Sequence, residues 1–291
     1  MRISLIAALA GAGLGATGLG AMALGDEPQA AATYDMTASA TGSSTSASGG
    51  SSENAPPQEL DAKPWKFVIA PYLWVPAQHG HVQSGIARAN VSMTVGDTWN
   101  AIWDNFQFAG CLHMEAVHDR WTIFGDAMYL HLGNEVKNLP ITADFKQGIF
   151  ELGGTYAVFD GALPGAASDS TVRVRLEPLA GVRVWYIDST ITGPFQTRGP
   201  NDTWVDGFGG VRGELAFNET FSLTGRVDVG TGMSELTWNA LTMLNINFNK
   251  NIGIFAGWRW LSDNYSKGSG RDRFEYDMML SGPFAGLKIT F

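Results

Sequence analysis

The chain has a single cysteine, Cys111, in 291 residues. One thiol cannot close an internal disulfide or supply a CxxC metal or redox motif. Charge is also scarce: Asp, Glu, Lys and Arg make up 16% of the residues, and the 19 basic side chains are outnumbered by 28 acidic ones. No basic stripe exists to follow a phosphate backbone, so nucleic acid is not an expected partner. No Gly-x-Ser-x-Gly elbow occurs, and no serine stands at a recognisable spacing from any of the five histidines. A Ser/His hydrolase site is therefore not the expected reading, and an enzyme is less favoured than a non-catalytic barrel. His79-x-His81 is too sparse for a metal site, so neither metal nor cofactor is expected. Beyond the N-terminus no apolar run is long enough for a membrane helix.

What the chain has in quantity is glycine (36) and aromatic residues (16 Phe, 10 Trp, 7 Tyr). Met1-Arg2 opens a small, apolar stretch ending near Ala21-Met22-Ala23, which reads as a secretory signal peptide over 1–25, with an uncleaved anchor as the alternative. Residues 26–63, rich in Ser, Gly, Ala and Pro, read as a disordered spacer, because they have little apolar surface to offset the entropy of ordering.

From residue 64 to 291 the hydrophobic period is two. In 221–229, Phe221, Leu223, Val227 and Val229 share one face, while Arg226 and Asp228 share the other. The same alternation runs through 172–186, 204–217, 236–248 and 252–260. These segments reach about 10–17 residues, longer than the roughly 5–6 of soluble strands and sufficient for a tilted crossing of a bilayer. Trp and Tyr near segment ends (Trp65, Tyr72, Trp74, Trp121, Tyr129, Trp185, Tyr186, Trp204, Trp258, Trp260) suggest girdles at the two lipid interfaces. Short junctions at Asp119-Arg120, 218–220 and 249–251 alternate with long breaks near 134–144, 188–203 and 265–274; the link at 160–170 is long for its side. Residues 97–105 read as a short helical turn with Asp97 as its cap, and His79 and His81 fall in the first loop.

The expected fold is all-β: an antiparallel, transmembrane, up-and-down β-barrel of 12 strands, with 10 as the alternative. The uncertain pair is the stretch 80–95. The expected location is the bacterial outer membrane. Leu287, Ile289 and Phe291 share one face of the last strand and form the expected signal to barrel-assembly machinery, with membrane lipid as the other partner.

The phrases IAPYLWVPAQHG (69–80), TWVDGFGGVRGEL (203–215), SELTWNALTMLNINF (234–248) and FEYDMMLSGPFAGLKITF (274–291) resemble a family of uncharacterised bacterial outer-membrane β-barrel proteins over essentially all of 65–291. Gly207 stands where that pattern leads one to expect proline. The resemblance implies architecture and brings no catalytic residue or substrate.

The face opposite the lipid carries Glu115, Asp126, Glu151, Arg173, Arg175, Glu177, Arg183, Asp206, Arg212, Glu214, Arg226, Asp228 and Arg259. Two functions follow. The leading expectation is a water-filled lumen, which makes the protein a porin-like passive channel or transporter for small solutes, with a plugged barrel as the alternative. Cross-strand pairing of the same charges would plug the lumen and leave a structural or adhesive surface barrel. The near balance of signs favours the plug, and a ring of one sign would favour the pore.

Overall fold

A computed structural model describes residues 64–85, 87–104, 106–135, 142–163, 172–192, 197–198 and 201–291. The expected signal peptide and spacer lie outside the described residues, as do parts of the breaks at 136–141, 164–171 and 193–196. The elements in chain order are β1 (Lys66–Trp74), β2 (Ala77–Ser84), β3 (Ala87–Met93), helix α1 (Val95–Asp104), β4 (Phe106–His118), β5 (Trp121–Glu135), β6 (Thr142–Tyr156), β7 (Phe159–Ala162), β8 (Arg173–Thr192), β9 (Thr197–Arg198), β10 (Asn201–Ala216), β11 (Phe221–Gly232), β12 (Leu236–Asn247), β13 (Ile252–Lys267) and β14 (Phe274–Thr290).

All pairings are antiparallel. The wall runs β1-β4-β5-β6-β8-β10-β11-β12-β13-β14 and closes by β14 on β1. Strands β1 and β2 are one path along β14: Val68 faces Thr290, Trp74 faces Phe284, Ala77 faces Ser281 and Ser84 faces Phe274, all in one register. Pro76, which has no N–H to donate, interrupts the ladder without shifting it. The closed ladder therefore counts ten strands, the smaller of the two expected numbers. Residues 80–95 do form a hairpin, but β3 hydrogen-bonds β2 and never reaches β4. His79 and His81 accordingly sit on strand β2 instead of in a loop, and His81 Nε2 lies 2.8 Å from Glu275 Oε1 on β14.

Where β2 leaves β4, helix α1 packs against both. Its buried side chains are Thr98 and Ile102, and the Thr98 hydroxyl donates to the Pro76 carbonyl at 2.7 Å. Asp97 is not the cap. Thr94 Oγ1 accepts from the Asp97 N–H and Asp97 Oδ2 accepts from the Thr94 N–H, so Thr94 caps the helix in a reciprocal box.

The junctions after β4, β10 and β12 are short, and they lie at the same end as Lys66 and Phe291. The long 160–170 link begins as β7, which continues as a ribbon on the first residues of β8.

Side-chain direction follows the period of two. On β11, Val227 and Val229 are 52% and 57% exposed, whereas Arg226 and Asp228 are 6% and 5% exposed. Leu152, Val182, Val211, Leu244 and Leu287 extend the exposed apolar surface across strands. A soluble monomer seldom exposes such a belt, and a barrel with apolar residues outside and paired charges inside is built to span lipid. Val227→Arg is expected to cost about 2–4 kcal/mol at mid-membrane depth. Urea unfolding in lipid vesicles measures it, and wild-type stability in that variant would place Val227 away from lipid.

Candidate functional site

The interior stacks in three zones along the barrel axis. From the short-turn end these are an open cavity, an ionic layer and an aromatic layer.

The ionic layer consists of three arginines and three carboxylates. Arg183 (β8) reaches Glu151 at 2.9 Å and Asp228 at 2.7 Å. Arg226 (β11) reaches Asp228 at 2.8 Å and Glu151 at 2.9 Å. Arg259 (β13) reaches Glu151 at 2.8 Å and Asp126 at 3.2 Å. Glu151 on β6 thus touches all three guanidinium groups. Thr237, Asn239 and the Tyr72 hydroxyl, which donates to Asp126 at 2.7 Å, add further hydrogen bonds to the layer. A buried charge is costly unless both its charge and its hydrogen bonds are met, and here the signs cancel within the layer. Aromatic faces sit against the guanidinium groups: Phe208 against Arg183, Phe124 against Arg226, and Trp74 against Arg259, at 4.9, 4.9 and 5.5 Å. Two glycines make room for the phenylalanine rings. A Cβ at Gly153 would lie 2.6 Å from the Phe124 ring, and one at Gly181 would lie 2.7 Å from the Phe208 ring.

Toward the loop end lies the aromatic layer. Trp204 stacks on Tyr265 at 4.4 Å and on Trp185 at 5.9 Å, and Tyr276 packs against both tryptophans. Ile187, Leu261, Met278 and Leu280 complete a dry cluster. The Trp204 indole donates to Asp263 at 2.9 Å, and Gln147 donates to the Tyr276 hydroxyl. The turn between β11 and β12 folds Ser234 inward, where it binds Asp206 through its N–H (2.7 Å) and its hydroxyl (2.8 Å). This corrects the girdle expectation. Trp65, Trp121 and Trp258 do face outward, but Trp185 and Trp204 are fully buried inside, and Trp74 and Tyr72 also point inward. Adjacent residues of a strand face opposite sides, so Trp185 and Tyr186 could not share one belt.

Toward the short-turn end a second charge group follows. Arg212 bonds Glu115 and Glu177, Arg175 bonds Glu177 at 2.9 Å, and His113 lies 3.2 Å from Glu115 and 3.7 Å from Asp126. Arg173 is at the rim, mostly exposed and paired with Asp160 at 3.0 Å. Below the ionic layer opens a cavity of about 230 Å³. Its lining includes the apolar Phe255, Phe284, Leu241 and Met243, the charged group His113, Glu115 and Arg212, and, toward the chain ends, Lys66, Lys288 and Thr290.

The structure thus brings together nine of the sequence-predicted residues: Asp126, Glu151, Arg183, Arg226, Asp228 and Arg259 in one layer, and Glu115, Glu177 and Arg212 in the next. Arg175 joins the second group at its edge. Asp206 stands in register with Arg183 yet turns to Ser234, and Glu214 stands near the cavity rim. Sequence reasoning missed Tyr72 as an interior hydroxyl, along with Ser234, Asp263 and the apolar wall at Phe255 and Phe284, whereas Asn239 falls on the inward face as its strand's alternation requires. The signal for Asp263 was its inward parity with Arg259 on one strand.

No protein-family model matches the chain, and no curated protein matches it. Among solved structures it is similar to neisserial surface protein A, with 12% identity and a TM-score of 0.33 over 79% of this chain and 100% of that one. It is similar also to the attachment invasion locus protein Ail of Yersinia pestis (11% identity, TM-score 0.34, 78% of this chain and 98% of that one). A third is the translocator domain of the autotransporter NalP from Neisseria meningitidis (9% identity, TM-score 0.32, 80% and 90%). Likenesses this distant supply no residue correspondence, so what the barrel does has to come from its own side chains.

Proposed function

We propose that the protein is an outer-membrane β-barrel whose lumen is closed, a structural or surface-displayed barrel and not a passive pore. The observation that carries this reading is the ionic layer, in which Glu151, Arg183 and Asp228 are essentially without solvent exposure while lying across the barrel axis. A porin-like channel needs a continuous water path lined by charges that ions can meet. Here each charge of the layer is already met by a partner, and the Trp185–Trp204–Tyr265 stack follows directly above it. Small ten-stranded barrels have little interior to spare beyond their own side chains, which agrees with this arrangement. An apolar outer belt with a closed ladder supports the outer membrane as the location.

Planar-bilayer recording tests the reading. Purified protein inserted into the bilayer is expected to give no discrete conductance steps. Regular single-channel steps from the wild-type chain would overturn the closed lumen and restore the passive channel.

A further inference from the structure

The cavity at the short-turn end is not explained by a plug. A barrel sealed only for stability has no need of a void, since packing to the density of a protein interior stabilises more than empty space does. Its charges are not all paired as those above it are. The ionic layer pairs three arginines with three carboxylates, and Arg212 is held by Glu115 and Glu177. That leaves Lys66 and Lys288 at the rim. Among the described residues neither has a carboxylate within 4 Å. Glu214 and Glu115 are the acidic side chains that act on Lys288, and Glu115 is already engaged by Arg212. The two lysines are therefore the cationic groups left without an ion pair, and they sit at the entrance.

The wall behind that entrance is apolar and partly aromatic: Phe255, Phe284, Leu241 and Met243 on β12 to β14. Phe255 and Phe284 pack at 6.2 Å and Tyr72 packs against both at 6.2 and 6.1 Å, an aromatic cluster that a further ring can extend. The volume, about 230 Å³, is below the roughly 300–1,000 Å³ of sites for drug-sized ligands, which limits the occupant to a single ring or a short branched chain. At the blind end Arg226 and Arg259 are already paired, so an anionic head gains nothing by going deep. The head belongs at the lysines and the body inside.

We propose that this cavity binds a small monoanion with an apolar body, entering from the short-turn side, with its carboxylate between Lys66 and Lys288 and its ring against Phe255, Phe284, Leu241 and Met243. The reading is independent of how the protein serves the membrane. It uses the closed upper layers only as the cavity's floor.

The test is fluorine NMR with para-fluorobenzoate on the full barrel in lipid nanodiscs, against empty nanodiscs. Saturable binding at one site per barrel is expected. The neutral analogue para-fluorobenzyl alcohol is expected to bind about tenfold or more weaker, since it loses the charge-assisted contacts. The double variant Lys66→Ala/Lys288→Ala is expected to weaken the benzoate by a similar factor and to leave the alcohol unchanged. Leu241→Trp is expected to fill the void and abolish binding of both. Heat-dependent gel mobility confirms that each variant is folded. Absence of saturable benzoate binding, or equal affinity for acid and alcohol in the wild-type barrel, overturns the proposal without recourse to any variant. So does undiminished benzoate binding in a folded lysine double variant.

Discussion

Replacing Glu151 by alanine is expected to destabilise the barrel by about 3–5 kcal/mol, because removing one member of a buried ionic network leaves its partners as uncompensated charges. Glu151 contacts Arg183, Arg226 and Arg259 together. Without it, three guanidinium groups face only Asp126 and Asp228. Unfolding in urea, followed by tryptophan fluorescence in lipid vesicles, measures the loss. The companion variant Glu151→Leu/Arg183→Leu removes one charge of each sign. Arg226 keeps Asp228, and Arg259 keeps Asp126. Apolar replacement of a balanced buried pair is often neutral, so the double variant is expected to be more stable than Glu151→Ala. If the single variant lost less than about 1 kcal/mol, the layer would be hydrated in the membrane and the closed lumen would lose its main support.

Trp204→Ala is expected to cost a similar amount, about 3–5 kcal/mol, through the void left by a fully buried aromatic side chain. The residue stacks on Tyr265 and Trp185 and donates to Asp263, so truncation removes packing and also leaves a buried carboxylate short of a donor. Trp204 and Glu151 share no hydrogen-bond partner, so their effects are expected to add. The lumen of Trp204→Ala should still conduct nothing, because the ionic layer remains intact beneath the void. Conductance in this variant alone would identify the aromatic layer as the actual seal.

The outline of this barrel was legible because a strand exposed to lipid on one side and charge on the other must alternate strictly. Val227 and Arg226 could be assigned to opposite sides from that rule alone. The rule says nothing where both faces are apolar. At 182–187 the lipid side carries Val182, Val184 and Tyr186, while the interior carries Arg183 and then Trp185 and Ile187. An interior tryptophan and a girdle tryptophan look alike in sequence, and only strand parity separates them. The partner of each charge was likewise hidden. Arg183 stands in register with Glu151 on one side and Asp206 on the other, yet its guanidinium takes Glu151 and, in place of Asp206, Asp228 on β11, since a long side chain is free to choose a partner two strands away. The number of strands turned on whether β3 would reach β4, and the hydrophobic pattern carries no information on that.

The single register that runs from Val68 against Thr290 to Ser84 against Phe274 also bears on how the barrel comes to exist. It joins opposite ends of the folded chain, so it is the contact with the largest loop to close; apart from β1 on β4, which spans β2, β3 and α1, the other wall seams join strands that follow one another closely in sequence. The hairpins can assemble as they are made; the circle cannot. Until β14 arrives, β1 and β2 present a long unpaired edge, the kind that recruits other chains. Synthesis and closure are thus separate events for this fold, and the interval between them is when the open sheet most needs to be escorted.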